Sequence, residues 1–147
     1  MFVDESDAYS VYTRRVTADS FEAEVVKTCP VLLQEEIARI ADVRATFIGP
    51  RCFVVDIQGD ASLVDWRDPD LSVSYSASSL GNEVELMCRA MLDKLGLIYG
   101  AFDFVRTPEG ELVFLEVNPT GEWAWLEDRL GFPMRDAFIQ IFYGESA

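Results

Sequence analysis

The sequence predicts an α+β fold, an antiparallel sheet of hairpins backed by helices. Three observations predict it. Two runs rich in Val, Phe, Ile and Thr meet at Gly49-Pro50, and two more meet at Thr107-Pro108-Glu109-Gly110, so each pair reads as a hairpin. Asn82 to Leu95 carries apolar residues at helical spacing between helix-end signals. Pro133 to Gly144 repeats that spacing.

Taken in order, the elements rest on local chemistry. Tyr9 to Val16 alternates weakly, as a strand does, and Asp19 to Thr28 places Phe21, Val25 and Val26 at loosely helical spacing. Val31-Leu32-Leu33-Gln34-Glu35, bounded by Pro30, reads as a short buried strand. Asp42 to Ile48 and Arg51 to Ile57 are the arms of the first hairpin. Gln58 to Ser79 is polar and turn-rich around Asp65-Trp66-Arg67-Asp68-Pro69. It reads as a long loop or an irregular strand pair, and so as a candidate functional segment. Asn82 is the expected cap of the following helix, with Glu85 completing a capping box. Val84, Met87, Met91 and Leu95 form its apolar stripe beside Cys88 and Leu92, and Gly96 ends it. Gly100 to Arg106 and Glu111 to Asn118 are the arms of the second hairpin. A short helical piece spans Glu122 to Leu130, and the last helix turns Met134, Ala137, Phe138, Ile141 and Phe142 inward.

Composition narrows the function. The chain has 147 residues, 50% of them hydrophobic and 26% charged, which suits one packed domain. Lys and Arg number 12 against 26 Asp and Glu, a net charge of −14. Nucleic acid is excluded as a major partner, because phosphate backbones demand a basic face, and a membrane surface is disfavoured for the same reason. No run is apolar enough to span a bilayer, and the acidic N-terminus lacks the apolar stretch of a signal peptide. There is no histidine, so Ser-His-Asp and Cys-His catalysis and His-based zinc sites are excluded. Cys29, Cys52 and Cys88 are odd in number, widely spaced and without a CxxC pair. They read as buried small apolar residues of a reducing compartment, and the expected localisation is cytoplasmic.

The second hairpin carries the chemistry. With an even loop, 107–110 or 108–109, Arg106 faces Glu111, Phe104 faces Val113 and Phe102 faces Leu115. These apolar residues and Val117 then share the core face. The opposite face collects Asp103, Glu116 and Asn118, whereas an odd loop separates Asp103 from the other two. Two carboxylates and an amide oxygen are hard donors of the kind Mg²⁺ takes alongside water and phosphate. The same pattern also suits a solvated sheet face. Pro119-Thr120-Gly121 follows, a turn able to approach a ligand closely.

These residues carry a family resemblance. Phe102-Asp103-Phe104 followed by Phe114-Leu115-Glu116-Val117-Asn118-Pro119 resembles the metal-binding end of ATP-grasp ligases. Thr120-Gly121-Glu122-Trp123-Ala124-Trp125-Leu126-Glu127 resembles one branch, the graspetide (microviridin-type) macrocyclases that mature ribosomally made peptides. Pro30 to Ile37 resembles the strand and hinge that hold adenine, Asp42 to Gly49 the strand after it, and Asp65-Trp66-Arg67 a further short motif of this branch. The resemblance runs over about residues 9–143 in consistent order.

The resemblance implies a division of the chain and a set of roles. Residues 1–29 would be the end or remnant of a preceding ATP-grasp subdomain, and residues 30–147 a domain resembling the C-terminal ATP-grasp subdomain. Before Pro30 the only cations are Arg14, Arg15 and Lys27, and no glycine precedes Gly49, so the phosphate-covering half of the nucleotide clamp is expected from elsewhere. Asp103, Glu116 and Asn118 would hold Mg²⁺ against the phosphates of ATP. Glu35, Glu36 and Ile37 would line the adenine hinge, largely through backbone groups, with Gln34 beside it and Asp42 near the ribose or nucleotide. Arg44 and Arg67 would be the catalytic cations, neutralising the γ-phosphate and an acyl-phosphate intermediate. The implied activity is carboxylate ligation on a precursor peptide or other carboxylate substrate, with an amide or an ester as product. The alternative is a non-catalytic nucleotide- or peptide-binding module, or a partner subunit of a full-length ligase. An incomplete ligase half exposes apolar surface, which implies a homodimer or a complementing N-terminal half as partner.

Overall fold

The apolar runs flanking Gly49-Pro50 form β1 (Ala41–Ile48) and β2 (Arg51–Gln58) in the computed structural model, with Ile48 opposite Arg51. The structure describes residues 13, 15–17, 27, 30–60, 64–67 and 72–144. The strand expected over Tyr9–Val16 and the helical spacing of Asp19–Thr28 lie almost wholly outside the described residues, and Cys29, Asp68 and Pro69 lie outside them altogether. The polar stretch after β2 supplies one short strand, β3 (Ser74–Ala77), which pairs antiparallel with β2. Helix α1 (Asn82–Leu95), strands β4 (Tyr99–Arg106) and β5 (Leu112–Asn118), and helices α2 (Ala124–Leu130) and α3 (Met134–Tyr143) follow. The strands make one antiparallel sheet in the order β3-β2-β1-β4-β5.

Side-chain alternation splits the sheet into two faces. Val43, Ala45, Phe47, Val54, Phe102 and Phe104 turn toward Leu80 and the α1 residues Cys88 and Leu92. Ile48, Phe53, Val55 and Ile57 turn the other way, against Leu126 of α2 and Met134 and Ala137 of α3. The helices of this second face cover only part of it. The strip of Asp42, Arg44, Asp103, Glu116 and Asn118 is left on the same side of the sheet beside them.

Several expectations are corrected. Residues 31–35 are not a buried strand: they lie outside the sheet, with Val31, Leu32 and Leu33 at least 49% exposed. Neither edge strand of the sheet, β3 or β5, pairs with this run, so no ladder buries it. No capping box forms at α1. Its cap is Gly81, whose carbonyl accepts from Glu85 N–H, while the Glu85 carboxylate pairs with Arg89 at 2.7 Å. The buried stripe of α1 is Val84, Cys88 and Leu92, and Met87, Met91 and Leu95 are exposed. Spacing of three or four marks an apolar helix face, but the tilt of the helix on the sheet decides which edge of it is covered. Phe142 on α3 is exposed for the same reason. Helix α2 starts at Ala124, two residues after the expected Glu122.

The second hairpin differs from expectation in its turn. Thr107 N–H donates to Glu111 carbonyl, and Gly110 has φ +88°, so the loop is the three residues Pro108-Glu109-Gly110. That loop is odd, and Arg106 faces Leu112 rather than Glu111. A bulge in β5 then adds one residue: Phe104 faces Phe114, but Asp103 faces Glu116. The extra residue restores the parity that the odd turn removed. Phe114 rather than Val113 therefore shares the core face with Phe104, and Leu115 sits at the bulge.

Thr46 lies on the second face, fully buried, and its hydroxyl has no hydrogen-bond partner among the described residues. An unsatisfied buried polar group costs about 1–3 kcal/mol. Thr46→Val keeps the β-branched shape and removes that cost, so the urea midpoint should rise by the equivalent of about 1 kcal/mol. A fall in the midpoint would show that the hydroxyl has a partner in solution.

Candidate functional site

Strand register assembles the site. On the second face one cross-strand row reads Val55, Arg44, Asp103, Glu116, and the next reads Phe53, Thr46, Ala101, Asn118. Directly opposed residues in an antiparallel pair have Cβ atoms roughly 4.5–5.5 Å apart. Asp103 and Glu116 are therefore held side by side, with Asn118 on the adjacent row. The expected trio shares one face. It contains only two carboxylates, and among the described residues there is no cluster of three or more His, Cys, Asp or Glu suited to a metal.

Asp103 is largely withdrawn from water and bonded to Arg44, whose Nε donates to Oδ1 at 2.6 Å. Burial raises the Asp103 pKa, the Arg44 guanidinium opposes that rise, and Glu116 adds to it. Oδ2 of Asp103 carries no hydrogen bond from the described residues. The Asn118 amide oxygen accepts from the Thr120 backbone N–H at 2.9 Å and from its hydroxyl at 3.1 Å, an Asx turn that orients the amide.

That turn folds back onto the sheet. The Tyr99 hydroxyl donates to the Gly121 carbonyl, and Gly121 is buried. A Cβ at position 121 would sit 2.7 Å from the Ala101 Cβ and 3.4 Å from Arg44 Nη1, so only glycine admits this approach. Gly121→Ala should push the turn off Ala101, shift Asn118 and cost about 1–3 kcal/mol. Urea unfolding followed by tryptophan fluorescence reads this. A wild-type midpoint would mean the turn yields without strain.

Arg67 reaches the same cleft from the polar segment. Its Nε and Nη2 donate to Asp65 Oδ1 and Oδ2 at 2.8 and 2.6 Å, and its backbone N–H donates to Oδ1 at 3.1 Å. Thr13 N–H adds a further bond to Oδ2. Burial pushes the Asp65 carboxyl up, but these bonds outweigh it and hold its pKa well below the carboxylate range. Asp65 is thus the anchor that aims Arg67. The sequence motif contained this pair but showed no sign of its bidentate geometry.

Arg44, Arg67 and Asn118 line a cleft of about 790 Å³ together with Trp66, Tyr75, Gly121, Glu122, Trp125 and Arg129. A second cleft of about 410 Å³ is lined by Glu36, Ile37, Arg39 and Asp42. Gln34 and Glu35 are exposed and line neither cleft. Asp42 pairs with Arg39 at 3.0 Å, and burial raises its pKa against that cation. Glu36 pairs with Arg15 at 2.6 Å. Sequence reasoning missed Arg129, Tyr75 and Glu122 as cleft residues. Nothing local marks them, because β3, α2 and the turn after β5 meet only in the fold.

Burial pushes the Cys52 thiol up to about 12 and the Cys88 thiol up to about 11, so both are neutral and unreactive at pH 7. No helix among the described residues is long and apolar enough to cross a membrane.

Comparisons with known proteins bear on the fold. No protein-family model matches the chain, and no curated protein does. Solved structures do. The macrocyclase MdnC from Microcystis aeruginosa MRC, bound with precursor peptide MdnA, is 30% identical with a TM-score of 0.63 over 74% of this chain and 35% of its own. A RiPP-associated ATP-grasp ligase from Chryseobacterium gregarium, in complex with ADP and a leader and core peptide, superposes with a TM-score of 0.80 over 95% of this chain and 44% of its own, at 24% identity. ATP-grasp ligase PsnB, complexed with a minimal precursor variant, Mg and ADP, is 25% identical with a TM-score of 0.68 over 88% of this chain and 43% of its own. The chain therefore spans less than half the length of each of these enzymes.

Proposed function

Because this chain is similar, over most of its length, to part of the ATP-grasp ligases that mature ribosomally made peptides, we propose that it supplies the metal- and phosphate-facing part of an ATP-dependent carboxylate ligase. The observation that carries the reading is the side-by-side placement of Asp103 and Glu116, with Asn118 on the next row, beside two anchored arginines. Like charges directly opposed on neighbouring strands destabilise a sheet. A fold that keeps them together gains when a cation binds there.

The donor set fits Mg²⁺, since carboxylate and amide oxygens are hard ligands. Asp103, Glu116 and Asn118 would hold the ion, which when bound neutralises phosphate charge. Arg44 bonds Oδ1 of Asp103 alone, which leaves the second oxygen for the metal. Arg44 and Arg67 lie on the same cleft, and their role is to stabilise the charge that develops on a transferring phosphoryl group and on the acyl phosphate. Glu36, Ile37 and Asp42 border the second cleft, whose role is to take the nucleoside, with Gln34 and Glu35 at the exposed hinge beside it. None of these steps needs histidine, in keeping with its absence. The peptide carboxylate takes the γ-phosphoryl group as ADP leaves; an amine or a hydroxyl then attacks the acyl phosphate and expels phosphate, giving an amide or an ester.

Isothermal titration of the 147-residue chain with ADP or ATP tests the reading. Saturable, Mg²⁺-dependent heat is the expected result. Titration without binding would overturn nucleotide binding by this chain and leave the partner-subunit role.

A further inference from the structure

Helix α1 has a second apolar face, turned to solvent on the side of the sheet away from the candidate site. Val84, Cys88 and Leu92 point inward. On the outward side Leu86 and Met87 are more than half exposed, and Ala90 and Met91 lie open beside them. Glu83 in the first turn and Lys94 in the last bracket this patch, both exposed. Neither forms an ion pair among the described residues. Helical geometry puts Glu83, Met87, Ala90 and Lys94 on one stripe about 60° wide, with Leu86 and Met91 on its two flanks.

This pattern is complementary to its own reverse. Two such helices, antiparallel about a twofold axis midway between Glu83 and Lys94, set Glu83 of one copy against Lys94 of the other at both ends. Leu86 then faces Met91 and Met87 faces Ala90. The small alanine lets the helices approach, and methionine adapts to the gap that remains. A parallel pair would set Glu83 against Glu83 and Lys94 against Lys94, so charge selects the antiparallel arrangement. We infer that the outward face of α1 is a twofold interface through which this chain pairs with a second copy of itself. The inference does not rest on the ligase reading: α1 packs on the sheet face opposite the Asp103 strip, and the cleft of Arg44 and Arg67 has no α1 residue in its wall. That cleft stays open in the pair. One pair of 14-residue helices is a small contact beside the roughly 1,200–2,000 Å² of a stable interface, so the association is weak.

Sedimentation equilibrium of the 147-residue chain in about 0.15 M salt should show a monomer–dimer equilibrium with a dissociation constant of about 10–100 µM. Met87→Glu should leave monomer alone at about 100 µM, because it puts a charge into the apolar centre of the contact. Glu83→Lys and Lys94→Glu each turn two attractive pairs into two repulsive ones, and each should weaken the dimer about tenfold. The double variant restores both pairs with their signs exchanged, and its dissociation constant should return to within about threefold of wild type. Such recovery does not come from a helix that is merely damaged. A carbodiimide, which joins a carboxylate to an amine with loss of water, should link Glu83 to Lys94 in the wild-type chain. Helix rise holds the two about 16 Å apart within one copy, so this product forms only between copies. A monomer at about 1 mM, a dimer indifferent to Met87→Glu, or charge reversals that the double variant does not rescue would each overturn the inference. None of these results alters the ligase reading, which nucleotide titration decides separately.

Discussion

Glu116→Gln should weaken Mg²⁺-dependent ATP binding by at least about tenfold, the scale on which metal sites respond to perturbation of their ligand shells. Glutamine keeps the length and the oxygen of glutamate but removes the charge that a hard cation requires. Stability should move the other way. Glu116 is exposed and stands opposite Asp103, whose raised pKa owes part of its shift to Glu116. Removing one of two like charges directly opposed on a sheet relieves about 0.2–1 kcal/mol. The paired measurement is isothermal titration with Mg-ATP and urea unfolding without it. Loss of binding with an unchanged or higher midpoint is the signature of a residue kept for function at some cost to the fold. Retained binding sinks the metal assignment, and a large fall in midpoint would mean that Glu116 is structural.

Arg44→Ala should produce the largest loss of stability of any change at the site, about 2–3 kcal/mol. The pair it breaks with Asp103 is mostly withdrawn from water but not sealed, so the cost lies between that of a surface pair and that of a fully buried one. Most of the loss is the penalty for leaving Asp103 without its cation. Asp103→Ala in the same background should therefore restore part of it, and a double-mutant cycle should give a coupling of about 1–2 kcal/mol.

The pH dependence carries a sign that checks the cause. Burial already holds the folded-state pKa of Asp103 above its unfolded value, and loss of Arg44 raises it further. A carboxyl of that kind contributes stability that is full below the unfolded pKa and is lost as pH rises through the folded one. The deficit of Arg44→Ala should accordingly be smaller near pH 4 than near pH 7. A deficit that does not change with pH would assign the loss to packing of the arginine stem instead.

Much of this protein was legible before folding. Gly49-Pro50 between two β-rich runs determined the first hairpin, and Gly96 after a periodic stretch determined where α1 ends, because turns and helix ends depend on a few neighbouring residues. The Asp103, Glu116 and Asn118 trio was legible as one face for a reason the structure revises. The parity argument assumed an even turn, whereas the turn is odd and a bulge at Leu115 compensates. Strand pairing is a long-range property, and two one-residue errors cancel without trace in the hydrophobic pattern.

Burial was less legible. Val31 to Leu33 read as a core strand and lie exposed, and α1 buries Cys88 and Leu92 rather than Met87 and Met91. Apolar periodicity states that a face prefers cover, not which neighbour provides it. By itself the sequence determined which runs pair as hairpins, the limits of α1, the acidic charge and the residue types of the polar strip. Only the tertiary structure decided that Arg44 grips Asp103, that Asp65 aims Arg67, and that Arg129 stacks on Tyr75 at the mouth of the same cleft. For Arg44 and Arg129 the physical reason is reach: their contacts join β1 to β4 and α2 to β3, and such side chains meet only after the sheet has set its register and the helices have closed on it, whereas Asp65 and Arg67 are neighbours whose pairing depends on the loop conformation that folds the guanidinium onto the carboxylate.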